Sequence, residues 1–284
     1  MANSFASALV PDTASDMAIT TLSEKLASLG CFSTDFSADL VDPMRPNAIP
    51  VVTAADDAEE NITDYENETN SDSTKVAKLI TPAHIIKRFK ITNADIQSGH
   101  KLETLFKKNL QKFSNKIMDK VLAPVTVANF GAAHVAATPA DLSVDDLKTL
   151  WGESSDFSEK NIILDGTYYA NFLSGNRDEY AAQDGVYGFD KFRLNNRWDG
   201  AGAGVVGGVF DSQALGVASS LPNMTDEVRD QLASYQVITL EDLGLSVLFT
   251  SWSSTATRQT WAAYEVMIGS VETDAGFAKL IATA

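Results

Sequence analysis

His100-Lys-Leu-Glu-Thr-Leu-Phe-Lys-Lys-Asn-Leu-Gln-Lys-Phe-Ser-Asn-Lys-Ile-Met-Asp-Lys-Val121 places Leu102, Phe106, Leu110, Phe113, Ile117 and Val121 at spacings of 4, 4, 3, 4 and 4. That period writes one apolar stripe along an α-helix. Lys108, Lys112, Lys116 and Lys120 recur every four residues on another face. Pro124 ends or bends the helix, so it spans about Gly99 to Ala123, long for an ordinary globular domain. The stripe predicts packing against a sheet. The lysine face is either a solvated surface or a contact surface.

Outward from this helix the charge falls in blocks. Lys75 to Lys120 carries eleven Lys or Arg against Asp95, Glu103 and Asp119, a net +8, which leaves −24 on the remainder of a chain of net charge −16. Just before it, Pro46 to Thr74 has no Lys or Arg but eight acids: Asp56, Asp57, Glu59, Glu60, Asp64, Glu66, Glu68 and Asp72. Asn47 to Thr53 reads as a strand, and Lys75 to Thr92 holds alternating stretches such as Lys87-Arg-Phe-Lys-Ile91. Two strands joined by a polar tip make an extended hairpin, and a disordered acidic loop is the competing reading.

The first 45 residues read as a helix followed by extended chain. Thr21-x-x-Glu24 is a plausible capping box, Leu22, Leu26 and Leu29 share a face, and Gly30 stops the helix. Asp42-Pro-Met-Arg-Pro46 forces extended backbone. This segment is either a flexible terminus or an arm lying on another subunit. Beyond Leu142, helical patterns (Val144 to Trp151, Tyr168 to Leu173) mix with strands (Asn161 to Leu164, Tyr235 to Thr239, Leu245 to Trp252, Thr260 to Ile268). The last strand places Ala262, Tyr264, Val266 and Ile268 on one side. Without regular βαβ repeats, the expected class is α+β.

The 284 residues are 44% apolar and 21% charged, an ordinary globular composition that argues against collagen, low-complexity disorder and a disulfide scaffold. The acidic balance speaks against a nucleic-acid reader. A single cysteine, Cys31, forbids an internal disulfide and an all-Cys metal site. The start lacks a basic region, so no signal peptide is expected. The longest uncharged run, Val121 to Ala140, is long enough to span a membrane, but Pro124, Asn129, Gly131, His134 and Pro139 make that costly.

Catalytic motifs are sparse. His84, His100 and His134 are scattered, with no metal-ligand spacing. Gly202-Ala-Gly204-Val-Val-Gly207 matches GxGxxG, with Glu227 twenty residues on, but no strand runs into it and no helix leaves it. Ile162-Ile-Leu-Asp165-Gly-Thr167 resembles the nucleophile loop of haloacid-dehalogenase phosphatases, which have a second Asp where Thr167 stands. An Asp-Gly turn leaving a strand accounts for it. The acids of Asp56 to Asp72 lack EF-hand spacing. The expectation is no catalytic residue, no cofactor, no metal and no enzyme.

The order of parts resembles the major capsid proteins of tailed bacteriophages, the Hong Kong 97-like fold. Three stretches carry the finer likeness: Phe89-Lys-Ile-Thr-Asn-Ala-Asp-Ile96, Ile163-Leu-Asp-Gly-Thr-Tyr-Tyr-Ala170 with Gly185-Val-Tyr-Gly-Phe-Asp190, and Thr260-Trp-Ala-Ala-Tyr-Glu-Val-Met-Ile-Gly269. The resemblance implies an N-terminal arm (1–45), an extended β-hairpin loop (46–95), a peripheral domain with a spine helix (96–142 and 253–284) and an axial domain (143–252).

It also implies a structural protein that self-assembles as a homo-oligomer, in hexamers and pentamers, into an icosahedral head shell. The shell encloses double-stranded DNA without reading its sequence. The implied location is the virion, after assembly in the host cytoplasm, with a separate scaffolding protein, portal and decoration protein as partners and no membrane. The acids Asp56, Asp57, Glu59, Glu60, Asp64, Glu66 and Glu68 are then expected to meet Lys108, Lys112, Lys116 and Lys120 of a neighbouring copy. Some relatives cross-link through Lys–Asn bonds, but the loop tip has no lysine before Lys75. The alternatives are an encapsulin-type bacterial compartment, a family that starts with a helix and has a shorter loop, and another phage structural protein of tail or decoration type.

Overall fold

In the computed structural model, the long helix and the sheet it packs on organise the chain. The structure describes residues 4–34, 37, 45–54, 74–92, 95, 99–172, 186–198, 202, 204–254 and 259–284. The elements are helix α1 (Ser4–Lys25), strands β1 (Asn47–Ala54), β2 (Thr74–Ile80) and β3 (Ala83–Ile91), helix α2 (Gly99–Val121), short helix α3 (Val127–Phe130), strand β4 (Val135–Ala137), helix α4 (Val144–Glu153) and strand β5 (Asn161–Leu164). They continue with short helix α5 (Gly166–Tyr169), strands β6 (Lys191–Leu194), β7 (Val205–Phe210) and β8 (Leu215–Ser220), short helix α6 (Asp226–Arg229), and strands β9 (Ser234–Leu240), β10 (Leu245–Ser254), β11 (Gln259–Glu272) and β12 (Ala278–Thr283).

The first sheet runs β3-β11-β10-β9, with β8 also paired to β11. All its pairings are antiparallel, and the 14 residues of β11 bind β3 on one side and β10, then β8, on the other. All six residues of the α2 stripe are buried. They meet Ile85, Phe89 and Ile91 of β3, Val247 and Phe249 of β10, and Ala262, Tyr264, Val266 and Ile268 of β11. Tyr264 is the hub, its ring 5.2 Å from Phe249, 6.0 Å from Phe89 and 6.1 Å from Phe113.

The second sheet runs β4-β12-β7-β5-β6. β5 is buried at all four positions because it lies inside the sheet and is covered on both faces. Ile162 and Leu164 pack with Leu147, Leu150 and Phe189, while Ile163 between them joins the first core. Helix α4 is held at its start by a capping box, Ser143 with Asp146. Gly207 and Gly208 lie within β7, where a Cβ would stand 2.7 Å from the Ile163 carbonyl and 2.8 Å from the Lys279 carbonyl. The glycine-rich stretch is therefore partly a strand that only glycine allows to sit so close to its neighbours.

Three expectations are corrected. Residues 4–34 are not an arm leaving the body: α1 buries Ala14, Ala18 and Leu22 in the first core, and the turn after it buries Leu26, Leu29 and Cys31. Thr21 lies inside α1 and is itself buried, so Thr21-x-x-Glu24 is no cap. These residues complete a core shared with α2 and the first sheet, a tertiary partner that no local pattern reveals.

The hairpin is β1 with β2, Asn47 facing Ile80, and β3 belongs to the body as the partner of β11. The loop therefore ends near residue 80 rather than 95. β9 and β10 join the sheet under α2, and β12 joins the second sheet. A period of two identifies a strand but not its partner. Asp42-Pro-Met-Arg45 falls largely outside the described residues.

Candidate assembly surfaces

Helix α2 presents its charge opposite the buried stripe. Lys108, Lys112 and Lys116 are exposed and Lys120 is half-buried, so the four lysines share one outward face. Like charges four apart destabilise a helix by about 0.2–0.5 kcal/mol per pair, so this row lowers the stability of α2 unless something anionic lies against it. Asp119, the acid beside the row, is already bound bidentately by Arg197, at 2.8 and 2.9 Å. The acids expected to meet the row, Asp56, Asp57, Glu59, Glu60, Asp64, Glu66 and Glu68, lie outside the described residues.

The basic block does not form one patch. On β3, Lys87 shares the α2 side with Ile85 and Phe89, whereas His84, Arg88 and Lys90 point to the opposite face. Lys90 lies 5.0 Å from the Trp261 ring, which stacks on Trp252. His84 Nε2 is 2.9 Å from Glu265 Oε2 on that face. A groove of about 590 Å³ opens between β3 and the last turns of α2, lined by His84, Ile86, Lys116, Asp119 and Lys120.

The base of the hairpin is anchored. Ile49, Val51 and Ile80 are buried against Ala218 and Val271, and Lys78 Nζ donates to Glu272 Oε2 at 2.8 Å. The N-terminal segment ties the two sheets together: Lys191 Nζ donates to the Gly30 carbonyl at 2.8 Å, and Asn195 Nδ2 donates to Ser28 Oγ at 3.1 Å.

The sparse chemical motifs have structural uses. Asp165 caps α5, accepting from the Thr167 N–H at 3.0 Å and the Thr167 hydroxyl at 2.7 Å. Gly204 turns at φ 82° into β7, and a strand rather than a helix follows it. Burial and nearby Lys279 lower the affinity of His134 for a proton. Among the described residues no group of His, Cys, Asp and Glu is placed to hold a metal ion, and no helix is long and apolar enough to cross a membrane.

Among the described residues the most buried charge is Asp211, which follows β7. Its Oδ2 accepts from the Ser158 N–H (2.6 Å), the Ser158 hydroxyl (2.8 Å) and the Glu159 N–H (3.1 Å), and its Oδ1 accepts from the Gln213 N–H (2.9 Å). Burial pushes its pKa up, but the amides of Gln213, Glu159 and Ser158 and the Ser158 hydroxyl outweigh it and hold the carboxyl below the usual range. No sequence motif announces this role.

No protein-family model matches the chain, and no curated protein matches it. Solved structures do. The capsid of an empty GTA particle is similar over 92% of this chain and 90% of its own, with a TM-score of 0.56 and 10% identity. The virus-like particle from Pyrococcus furiosus is similar over 96% and 98%, with a TM-score of 0.54 and 9% identity. A structure of Microbacterium phage Oxtober96 is similar over 91% of each chain, with a TM-score of 0.51 and 14% identity. At these identities the likeness shows the fold: a mixed α+β fold shared along nearly the whole chain with the subunits of capsids and a virus-like particle.

Proposed function

We propose that this chain is the major capsid protein of a tailed double-stranded DNA bacteriophage, of the Hong Kong 97-like type, and has no enzymatic role. The observation that carries the reading is the coverage: about nine-tenths of both chains align with the GTA capsid subunit, so what is shared is a whole subunit rather than a common motif. In this reading β1–β2 is the base of the extended loop, α2 is the spine helix of the peripheral domain, and the second sheet is the core of the axial domain. The product is a virion shell built in the host cytoplasm from many copies, with a scaffolding protein, portal and decoration protein as candidate partners. A net-negative shell also suits a DNA container, because an acidic lining does not hold the duplex.

The acids from Asp56 to Glu68 then meet Lys108, Lys112, Lys116 and Lys120 of the next copy. Exposed ion pairs contribute about 0–1 kcal/mol each, so their role is orientation and register, with apolar contacts holding the shell. The double variant Lys112→Glu/Lys116→Glu is expected to keep its unfolding midpoint but to lose most of its particle yield in negative-stain microscopy. Unaltered yield refutes the contact.

An encapsulin-type compartment is the second reading. Helix α1, packed on its own chain where an arm was expected, favours it, as does the likeness to the Pyrococcus furiosus particle. The contents of purified particles separate the two: packaged DNA supports the phage reading, and a protein cargo without DNA supports the compartment.

A further inference from the structure

A strand at the edge of a sheet presents unpaired N–H and C=O groups, so an edge is either guarded or open to another strand. Among the described residues all edges but one are guarded. β3 carries His84, Lys87, Arg88 and Lys90, and β6 carries Lys191 and Arg193. β4 is only three residues long. In the hairpin, Pro50 interrupts β1, and Lys75 and Lys78 lie on β2. The outer side of β8 is taken by the chain itself: the Val217 N–H donates to the Ser33 carbonyl at 2.9 Å, and the Ser219 N–H to Ser37 Oγ at 3.0 Å.

The exception is β9, Ser234-Tyr-Gln-Val-Ile-Thr-Leu240, which ends the first sheet. Its seven residues include no charge and no proline, and its register with β10 runs without a bulge. Among the described residues nothing bonds to its outer side. Ile238 and Leu240 enter the core shared with α1 and α2, while Tyr235 and Val237 on the other face are 38% and 41% exposed. Charges begin only beyond its ends, with Arg229 and Asp230 before it and Glu241 and Asp242 after it.

We propose that β9 pairs antiparallel with β9 of a second copy, about a two-fold axis through Val237. Three properties select a second copy as the occupant. An uncharged strand can lie against itself, whereas two β3 edges would set like charges face to face. The register centred on Val237 pairs all seven residues and sets Tyr235 against Thr239 of the second copy, an aromatic and a β-branched side chain. The axis of such a pair is normal to the sheet, so α2 stays on the same face in both copies. A closed shell, whose subunits all turn one side outward, requires that of its two-fold contacts. The path β3-β11-β10-β9 then runs on into its own copy as one antiparallel sheet. This inference rests on the shell reading, and it joins like edges where the lysine row joins unlike faces.

The test uses the full chain, assembled and then mildly oxidised. Directly opposed residues on paired strands have Cα atoms about 4.5–5.5 Å apart, within disulfide reach. Val237→Cys should give a disulfide-linked dimer as the main band on a non-reducing gel. Val127→Cys, equally exposed at 43% on α3, should give none, and the native Cys31 is buried. Tyr235→Cys and Thr239→Cys should each stay monomeric alone and cross-link when co-assembled. Val237→Lys, which sets two ammonium groups against each other, should lower particle yield at least tenfold at an unchanged unfolding temperature, and Val237→Thr should not. Full yield from Val237→Lys with no dimer from Val237→Cys overturns this inference and leaves the shell reading intact. Amides of β9 that gain hydrogen-exchange protection on assembly while Val237→Cys stays monomeric put a different strand on this edge and overturn it too. If the wild-type chain forms no particles even with its scaffold, the shell reading falls and takes this inference with it.

Discussion

At the scale of single residues, Asp211 joins the end of β7 to the loop before β5 through donors at Ser158, Glu159 and Gln213. Asp211→Asn keeps the size but replaces an acceptor-only group with one that also donates. The expected loss is about 3 kcal/mol in urea unfolding at neutral pH, and a change below about 1 kcal/mol contradicts the role. Because the folded carboxyl titrates below its unfolded value, its contribution is complete above about pH 4, the ordinary aspartate range, and fades as pH falls through the lower folded value. The gap between wild type and Asp211→Asn should therefore narrow on acidification. A second residue test concerns Tyr264, whose hydroxyl donates to the Ala14 carbonyl at 3.1 Å from within the core. Tyr264→Phe is expected to cost about 1 kcal/mol and to raise hydrogen exchange within Ser4–Lys25 more than within Gly99–Val121.

Among elements, α2 was the most legible because its stripe uses large side chains at a regular period, and every member is buried. Leu110→Ala should accordingly cost about 2–5 kcal/mol in chemical unfolding, the range for emptying a packed core position. Helix α1 was only half legible. Its buried face continues the four-residue spacing back from Leu22 through Ala18 to Ala14, and alanine carries too little hydrophobic signal to mark a face. β3 was legible as a strand, from Ile85 and Phe89 alternating with charge, but its pairing with β11 joins residues some 180 positions apart and left no local trace. The lysine row was visible in sequence because side chains four apart must share a helix face.

For the whole molecule, charge acts in two opposing ways. The net −16 drives copies apart, while in the proposed contact the acidic and basic blocks draw particular faces together. Raising salt from 0.15 to 1 M shortens the screening length from about 8 to about 3 Å and weakens both. If the block contact sets assembly, particle yield measured by light scattering falls with added salt for the wild type. For Lys112→Glu/Lys116→Glu it rises, because only repulsion remains to be screened. Parallel salt curves for the two proteins argue that the blocks play no part.

The continuous strand β11 has a mechanical consequence. Its length is about 46 Å at the usual rise, with β3 paired to it over Thr260–Ile268 on one side and β10, then β8, along Gln259–Glu272 on the other. One end meets the hairpin base through Val271 and Glu272, and the other ends beside the Trp252–Trp261 stack. A pull on the hairpin along this strand loads its hydrogen bonds in shear, many at once, rather than peeling them one by one. Such a strand works as a tie rod, passing tension through the subunit while the helices beside it bear little of the strain.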